Sequence, residues 1–352
     1  MILEKTKVLK VTKNADTPED EQNLSFAAEI IKKGGLVIFP TETVYGLGAN
    51  ALDETAAKRI YEAKGRPQNN PLIIHLDCKD KIEDYCTTDG MTQLEKLTSL
   101  MPAPLTVILP AKDIVPKTVT GGLPTVAVRV PESVIARKLI NFSGVPIAAP
   151  SANLSGKPSP TCVKHVIEDM DGRVDVIIDG GDCEVGLEST IITLCESNPT
   201  LLRPGGITYE TLCDLLGEVD MSRAVLESLK PGDAVLSPGM MYKHYAPDKP
   251  VVLLKGGREK CIDFVNSKAE NEKCAVICYN GDAKSIGAKT LVAGSRQDNG
   301  EYAKKLFSLL RDTNTLDADT IYAFLPEDTK GISLAIYNRL LRAAGFNVKE
   351  CN

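Results

Sequence analysis

The sequence predicts an α/β protein in which a larger domain, built on a twisted mixed sheet, is followed by a smaller Rossmann-like domain. Short apolar runs bounded by glycine or proline alternate with stretches of helical length, and this alternation resumes near residue 250 after a proline-rich interruption. The length of 352 residues also exceeds what one hydrophobic core usually organises. Both observations favour two α/β domains over one.

The larger domain is predicted to span residues 1–218. A helical pattern at 22–33 stops at Gly34-Gly35, and the apolar run 36–39 indicates a strand that Pro40 ends. Further strands are predicted at 71–76, 105–109, 125–130, 146–149, 174–178 and 189–194. The helices between them are predicted at 54–63, 91–100, 132–141 and 161–170.

Residues 219–249 interrupt this pattern and predict a linker. The part from 234 to 250 has three prolines and no clear period, yet it carries more aromatic and apolar residues than a flexible spacer does. We therefore expect an ordered linker that packs against another part of the molecule.

Residues 250–352 form the predicted second domain. Its strands are predicted at 251–254, 274–279, 290–293 and 320–324, and its helices at 259–269, 301–312 and 333–344. Strand-helix alternation of this kind favours a small, mainly parallel Rossmann-like sheet. Because the motif GxGxxG is lacking, dinucleotide binding is not indicated.

Composition excludes several classes of protein. Hydrophobic residues make up 43% and charged residues 25%, as in ordinary soluble proteins, and no apolar run has the length of a membrane span. The first 20 residues are mixed and charged, so we expect a cytoplasmic protein without a membrane partner. The 10 cysteines include no CxxC pair, which argues against a zinc site or a disulfide framework. A net charge of -6 argues against a protein that coats nucleic acid, but it permits a local basic pocket.

Two segments in the first 71 residues combine the residue types of a ligand site. The segment 40–48, PTETVYGLG, follows a predicted strand, and a hydroxyl-rich loop at a strand's carboxyl end is a usual ligand position in α/β sheets. In the segment 64–71, Lys64 and Arg66 flank a glycine and could reach neighbouring phosphate oxygens. A tight turn and a solvated basic loop are the respective alternatives.

Two strand residues are candidates because of the face on which they lie. Alternation places His75 opposite the apolar face of its strand, and it places Arg129 opposite the valine face of another. A buried arginine is costly unless it meets an anion, which could be an internal carboxylate or a substrate carboxylate. For His75 the alternative is a structural histidine with satisfied hydrogen bonds.

Three further motifs follow later in the chain. Ser151 and Asn153 in PSANLSG could close an Asx-type turn, or they could offer a hydroxyl and an amide to a nucleotide. The segment GLEST at 186–190 leads into a predicted strand, and LRPGG at 202–206 leaves one. Each motif alone is weak evidence, but the ordered combination is specific.

The combination resembles the YrdC-like family. It is carried by KKGGLVIFPTETVYGLGANAL, KGRPQNNPLIIHL, VRVP, PSANLSGKPSPT, GLESTII and LRPGG, and the tail with SPGMMYKHYAP is similar to the long form of the family, which makes threonylcarbamoyl-AMP. This resemblance implies a YrdC-like first domain, a linker that folds over the active site, and a small Rossmann-like second domain.

The resemblance also implies a reaction. L-threonine, bicarbonate and ATP would give L-threonylcarbamoyladenylate, pyrophosphate and water, with the threonine carbamate attacking the α-phosphate of ATP. Mg²⁺ would accompany ATP, without metal ligands from protein side chains. A separate tRNA threonylcarbamoyl transferase complex would then modify the adenosine beside the anticodon.

The family's motifs assign roles to positions of this sequence. Lys64 and Arg66 would be the catalytic cations of the nucleotide pocket. Beside Arg66, the implied ATP contacts are Asn70, Thr125, Ser151, Asn153, Thr161, Arg203 and, from the linker, Tyr245. The implied threonine contacts are Thr43, His75, Arg129 and Ser189.

Three alternatives remain at this stage. An RNA-binding module would use a concave basic surface, which the acidic net charge disfavours, although weak RNA binding stays possible. Carbamoyl transfer in hydrogenase maturation uses a related domain, but it predicts zinc-type cysteine pairs that the chain lacks. The second domain could also bind a regulator of its own.

Overall fold

An eleven-stranded mixed sheet organises the first domain in the computed structural model of the protein, which describes residues 6–228 and 244–351. Its order is β1-β8-β2-β3-β7-β4-β6-β5-β9-β10-β11. The strands are β1 (Lys7–Lys10), β2 (Val37–Pro40), β3 (Tyr45–Asn50), β4 (Ile73–His75), β5 (Leu105–Pro110), β6 (Thr125–Arg129), β7 (Ile147–Ala148), β8 (Val176–Asp179), β9 (Thr190–Thr193), β10 (Thr200–Arg203) and β11 (Asp220–Met221). Parallel and antiparallel pairs both occur, which confirms the predicted mixed α/β fold class.

Helices pack on this sheet around two large apolar cores, and a third, smaller cluster lies on the strands themselves. They are α1 (Pro18–Lys32), α2 (Glu54–Lys64), α3 (Ile82–Tyr85), α4 (Thr92–Thr98), α5 (Lys117–Thr120), α6 (Val134–Ser143), α7 (Val163–Met170) and α8 (Tyr209–Leu216). The smaller of the two cores packs α1 and α6 together, and the larger one includes α2.

Helix α1 begins four residues before the predicted start at Gln22. Thr17 accepts a hydrogen bond from the Asp20 amide, and the Asp20 carboxylate accepts one from the Thr17 amide, which makes a capping box. Pro18 occupies the first turn, where a missing amide hydrogen costs nothing. The sequence TPED therefore marks a helix start that the apolar periodicity alone does not show.

Strand β3 corrects the expectation that residues 40–48 form one ligand loop. Tyr45–Asn50 pairs antiparallel with β2, so within this segment only the short turn at 41–44 remains a loop. Glycine is unusual inside a strand, but a Cβ at Gly48 would collide with the side chains of Phe39 and Ile147. Neighbouring side chains thus fill the space above the glycine.

A five-stranded sheet forms the second domain, with every neighbouring pair parallel and the order β14-β13-β15-β12-β16. Its strands are β12 (Val251–Gly256), β13 (Cys274–Cys278), β14 (Lys289–Val292), β15 (Thr320–Phe324) and β16 (Val348–Cys351). Its helices are α9 (Arg258–Ala269), α10 (Asn299–Asp312) and α11 (Ile332–Ala343). The predicted small parallel sheet is confirmed, and β16 is a strand that the sequence reasoning missed.

The two domains share apolar packing beside the 41–44 turn. Val44 and Leu187 of the first domain belong to the same buried cluster as the core of the second domain. Tyr245 joins this cluster, with its ring centroid 5.0 Å from that of Phe307 on α10. Residues 229–243, the centre of the predicted linker, lie outside the described residues. In the described ranges, no helix combines the length and the apolar character needed to cross a membrane.

Candidate active site

A pocket lies where several strands of the large sheet end. Strands β4 and β6 run side by side and parallel, and their register pairs His75 directly with Arg129. Both residues therefore reach the same edge of the sheet. The pocket is lined by Thr41, Val44, Gly46, Arg66, Ile73, His75, Arg129, Ala149, Pro150, Ser151, Glu188, Ser189, Arg203, His244 and Tyr245.

Arg129 is held from one side by the turn after β2. Its Nη2 donates to Glu42 Oε1 at 2.5 Å and to Thr43 Oγ1 at 2.9 Å, and the side chains of Arg129 and Glu42 are 5% and 4% exposed. Its Nε is buried without a hydrogen-bond partner among the described residues. Of the two sequence alternatives the internal ion pair is present, and the guanidinium still has donor capacity for a substrate carboxylate.

Glu42 owes its position to the start of helix α6. Its second oxygen, Oε2, accepts from the backbone amides of Glu132 and Ser133 at 3.1 and 3.4 Å. Amides ahead of the first helical turn carry partial positive charge and suit a carboxylate. Glu42 thus connects the α6 end to Arg129.

Arg203 and Ser189 form a second polar group at the ends of β10 and β9. Arg203 donates from Nε to the Ser189 carbonyl at 3.0 Å and from Nη2 to the Ser189 hydroxyl at 3.1 Å. The Ser189 hydroxyl also lies 2.8 Å from that of Thr106 on β5. Burial lowers the pKa of Arg203 to about 10, so the guanidinium stays charged at neutral pH.

Arg66 lies beyond the end of α2, after a left-handed Gly65 with φ +62°. Its Nη2 donates to the backbone carbonyls of Asn70 and Pro71 at 3.4 and 3.1 Å, and its Nε is buried without a partner among the described residues. Burial lowers the pKa of Arg66 to about 10, which leaves it charged. No carboxylate of the described ranges pairs with it, so its charge is available to an anionic ligand.

Lys64 lies behind the pocket and supports the loop that follows β7. Its Nζ donates to the carbonyls of Ser151 and Asn153, the latter at 2.6 Å. Ser151 Oγ donates to Asn153 Oδ1 at 2.5 Å, while the Asn153 amide group donates to the carbonyls of Leu154 and Lys157. Burial lowers the pKa of Lys64 well below its ordinary value. The side chain of Asn153 is used within the loop, as the turn interpretation of SxN expects, and Ser151 lines the pocket. Contact of either residue with a nucleotide stays a prediction.

Tyr245 and two neutral histidines, His75 and His244, complete the wall. Tyr245 is 1% exposed with φ +65°, and the ring centroids of His244 and Tyr245 are 4.0 Å apart. Burial lowers the pKa of His75 to about 3, helped by the Arg129 charge, and burial likewise lowers the pKa of His244 to about 3. Both imidazoles are therefore neutral at physiological pH. His75 donates from Nδ1 to the Ile73 carbonyl at 3.1 Å, as the structural alternative expects, so its neutral ring can only accept a hydrogen bond from a ligand.

Glu188 is the carboxylate in the pocket lining, and the second domain contributes its partner. Its Oε2 accepts from Arg339 Nε on α11 at 2.9 Å, and its Oε1 accepts from Ser159 Oγ at 2.5 Å. Burial alone would raise the pKa of Glu188, but the charges of Arg339 and Arg203 and these hydrogen bonds lower it to about 2. It is therefore ionised, and both oxygens are engaged by the protein.

The charge balance of the pocket favours an anionic ligand. Its lining carries three arginines against one glutamate, and that glutamate is paired with Arg339 from outside the lining. Guanidinium groups match carboxylate and phosphate geometry. Hydroxyl groups from Thr41, Ser151 and Ser189 add neutral donors and acceptors.

The structure brings most, but not all, of the predicted site residues together. The pocket lining includes Arg66, His75, Arg129, Ser151, Ser189, Arg203 and Tyr245. Lys64, Thr43, Asn70 and Asn153 stand directly behind these residues, bonded to them or to their backbone.

Two predicted residues, Thr125 and Thr161, lie outside the pocket lining. Thr125 begins β6, four residues from Arg129 and thus about 13 Å along the strand. Thr161 contacts Ser308 of the second domain, with 3.1 Å between the hydroxyl oxygens. Among the residues that sequence reasoning missed are Glu42, Glu188, Arg339 and, in the lining, His244. The first two lie inside motifs that the sequence did show, PTETVYGLG and GLEST, whereas Arg339 has no motif around it.

Comparison with known proteins covers both domains. Residues 29–205 match the family described as "Telomere recombination", which groups Sua5, YciO and YrdC, and residues 207–345 match "Threonylcarbamoyl-AMP synthase, C-terminal domain". A threonylcarbamoyl-AMP synthase of Pyrococcus abyssi is 45% identical over 94% of this chain and 96% of its own. One of Bacillus subtilis is 39% identical over 98% and 99%, respectively. The crystal structure of P. abyssi Sua5 complexed with L-threonine is similar with a TM-score of 0.90, at 42% identity over 99% of this chain and 100% of that one.

Fold, pocket and matches together define a class, the ATP-using enzymes of nucleotidyltransferase type that are built on the YrdC-like sheet. The match continues through the second domain, which narrows the class. The chain belongs to the threonylcarbamoyl-AMP synthase family, in its two-domain form. Its function is that of the family, the synthesis of threonylcarbamoyl-AMP, and the resemblance stated from the sequence is confirmed.

Proposed function

We propose that this synthesis takes place in the arginine-lined pocket. L-threonine would bind beside Arg129, and ATP would bind beside Arg66. The observation that carries this assignment is the convergence of Arg66, Arg129 and Arg203 on one site that Tyr245 covers. Threonine would be held by Thr43, His75, Arg129 and Ser189. Its carboxylate would meet the donors of Arg129 that Glu42 and Thr43 leave available.

ATP would extend from Arg66 along the Ser151 loop. Lys64 and Arg66 are the proposed catalytic cations, and Lys64 also fixes the loop through its bonds to the Ser151 and Asn153 carbonyls. The other proposed contacts with ATP are Asn70, Thr125, Ser151, Asn153, Thr161, Arg203 and Tyr245. Thr125 and Thr161 lie outside the lining, so they would contact ATP only where the ligand extends beyond it.

The reaction needs positioning and charge stabilisation more than a protein nucleophile. The threonine amine takes up CO₂ derived from bicarbonate, and the carbamate oxygen forms a bond to the α-phosphorus while the bond to pyrophosphate breaks. Negative charge grows on the phosphate oxygens, where buried guanidinium groups stabilise it most. Tyr245 and the second domain behind it would keep water from the labile product.

Mg²⁺ fits this pocket as a companion of ATP. Among the described residues no cluster of three or more His, Cys, Asp or Glu is arranged to hold a metal, and both oxygens of Glu188 are engaged. Mg²⁺ commonly binds through substrate phosphates and water with few protein ligands. When bound, it would neutralise phosphate charge. The product would pass to a tRNA threonylcarbamoyl transferase complex.

The test measures pyrophosphate release and the adenylate product, with and without L-threonine and bicarbonate. We expect Arg66→Ala to lower product formation by at least about 100-fold, because one oriented donor to a developing charge contributes that much. Lys58→Ala is the matched control, since Lys58 lies on α2 but is exposed and pairs only with Glu54 among the described residues. Normal synthesis by Arg66→Ala would refute the site assignment. Release that is indifferent to threonine would refute the substrate assignment.

A further inference from the structure

Arg339 is a second-domain residue whose partners lie mostly in the first domain. It sits on α11 and its side chain is 0% exposed. Besides the bond from Nε to Glu188, its Nη1 donates to the Pro204 carbonyl at 2.9 Å and to Asn338 Oδ1 at 2.8 Å. These partners offset much of the loss of water around a fully buried arginine, although its Nη2 is without a hydrogen-bond partner among the described residues. The role of Arg339 therefore depends on these partners.

Those partners belong to the two segments that carry Ser189 and Arg203. Glu188 directly precedes Ser189, and Pro204 directly follows Arg203. The segments also touch each other, since a Cβ at Gly205 would collide with backbone atoms of residues 188–190. Arg339 contacts both segments from the second domain. Within the pocket, Arg203 of the second segment donates to Ser189 of the first.

The same guanidinium lies beside the aromatic cover of the pocket. Its central carbon is 5.7 Å from the centroid of the Tyr245 ring, within cation–π range. Tyr245 in turn packs on Phe307 of the second domain. One planar side chain therefore contacts the Glu188 carboxylate, the Pro204 carbonyl and the Tyr245 ring. A lysine, with its single point charge, would not reproduce this geometry.

We propose that Arg339 is a positioning residue of the active site, through which the second domain fixes the segments that carry Ser189 and Arg203. The kinetic consequence of this inference rests on the proposed function, whereas the structural consequence, that Arg339 fixes the two segments, does not. Small displacements of substrate-positioning groups lower turnover by up to about 100-fold. The second domain would thus act on the pocket through these contacts, since Arg339 itself is not among the lining residues.

The test compares Arg339→Met with Arg311→Met. Arg311 on α10 is also a buried arginine of the second domain that pairs with a first-domain carboxylate, Asp169, at 2.6 Å, and it donates to the Pro158 carbonyl. Neither of these partners lines the pocket. We expect kcat/KM for L-threonine to fall about 10- to 100-fold in Arg339→Met and to fall less in Arg311→Met, at matched folded fractions.

A second variant distinguishes the loss of positioning from the destabilisation that an unpaired buried charge causes. Arg339→Met leaves Glu188 buried without its cation, which could unfold the protein. The double variant Glu188→Gln/Arg339→Met removes both charges and should fold. If positioning is the role of Arg339, the double variant stays impaired in kcat/KM and Arg339→Lys is intermediate. Wild-type kcat/KM in the folded double variant would overturn the proposal.

Amide hydrogen exchange supplies a measurement that needs no substrate. We expect the double variant to lose protection at residues 186–190 and 203–206, and Arg311→Met to keep it there. Equal protection in wild type and double variant would overturn the structural role of Arg339. Absence of threonine-dependent product in the wild type would instead refute the proposed function, and the exchange comparison would still decide the role of Arg339.

Discussion

Replacing Glu42 with glutamine changes one atom type in a side chain that has partners on two sides. One oxygen accepts from Arg129 at 2.5 Å, and the other accepts from the first amides before α6 at 3.1 and 3.4 Å. A glutamine has a single acceptor oxygen, and its NH₂ group can only donate. Whichever way it turns, the NH₂ group faces either the guanidinium or the two amides.

The cost follows from burial. The side chains of Glu42 and Arg129 are 4% and 5% exposed, so the guanidinium cannot recover its lost partner from water. Removing one partner of a buried ion pair typically costs about 3–5 kcal/mol in free energy of unfolding. For a domain of this size that corresponds to a fall in Tm of about 10 °C. Because Arg129 also loses its orientation, KM for L-threonine should rise about tenfold or more.

The assay is thermal unfolding together with pyrophosphate release as a function of threonine concentration. Glu29→Gln is the chemical control, because its partner Lys32 is exposed and surface pairs contribute little. We expect no measurable change in Tm or KM for that variant. If Glu42→Gln matched Glu29→Gln in both quantities, the role assigned to the Glu42–Arg129 pair would be wrong.

Two further predictions concern pH and backbone packing. Burial lowers the pKa of His75 to about 3 from an ordinary 6.5, so between these values the unfolded chain binds a proton that the folded state does not. The free energy of unfolding should therefore fall by about 2 kcal/mol from pH 8 to pH 5 through His75, and His75→Gln should show a correspondingly weaker dependence in denaturant titrations. Gly205→Ala should lower both Tm and activity, because its Cβ would lie well within 3.0 Å of the backbone at 188–190. Gly257→Ala, whose Cβ meets nothing within 4 Å, should leave both unchanged, and equal behaviour of the two variants would contradict the close packing inferred there.

The sequence predicted the elements whose signals are local. The strand β2 is a short apolar run between a glycine pair and a proline, and the second domain repeats apolar strands and amphipathic helices at regular spacing. Such patterns reflect the burial of one face of an element or of a whole apolar run, and residues that are close in sequence determine that burial. Strand β3 was missed because the space above its Gly48 is filled by Phe39 and Ile147, which come from other strands.

The site was predictable where residue type and strand position together carried the information. His75 and Arg129 were candidates from strand alternation, and the parallel register then brought them side by side. For Arg129 the sequence left an internal carboxylate and a substrate as alternatives. The sequence could not show that Glu42, which lies in the motif PTETVYGLG, is the internal carboxylate that pairs with Arg129. Nor could it show that Arg129 keeps donors for a substrate carboxylate.

Arg339 marks the limit of sequence reasoning here. On α11 it follows a helical pattern that is equally typical of a solvated face, and nothing in the neighbouring sequence tells that its side chain is fully buried. Its burial is a consequence of domain packing, since its partners Glu188 and Pro204 lie 151 and 135 residues away along the chain.

The buried charges explain why the two domains pack together at this point. A pocket for an anion must keep guanidinium groups dry, and the Glu188 that lies among them needs a counter-charge of its own. The first domain uses its own charges for Arg129, but for Glu188 the cation comes from α11. Separating the domains would therefore expose or unpair a carboxylate in the pocket wall, besides uncovering Tyr245 and Leu187. Domain association and pocket geometry are thus stabilised by the same contacts, so a variant that loosens one should alter the other.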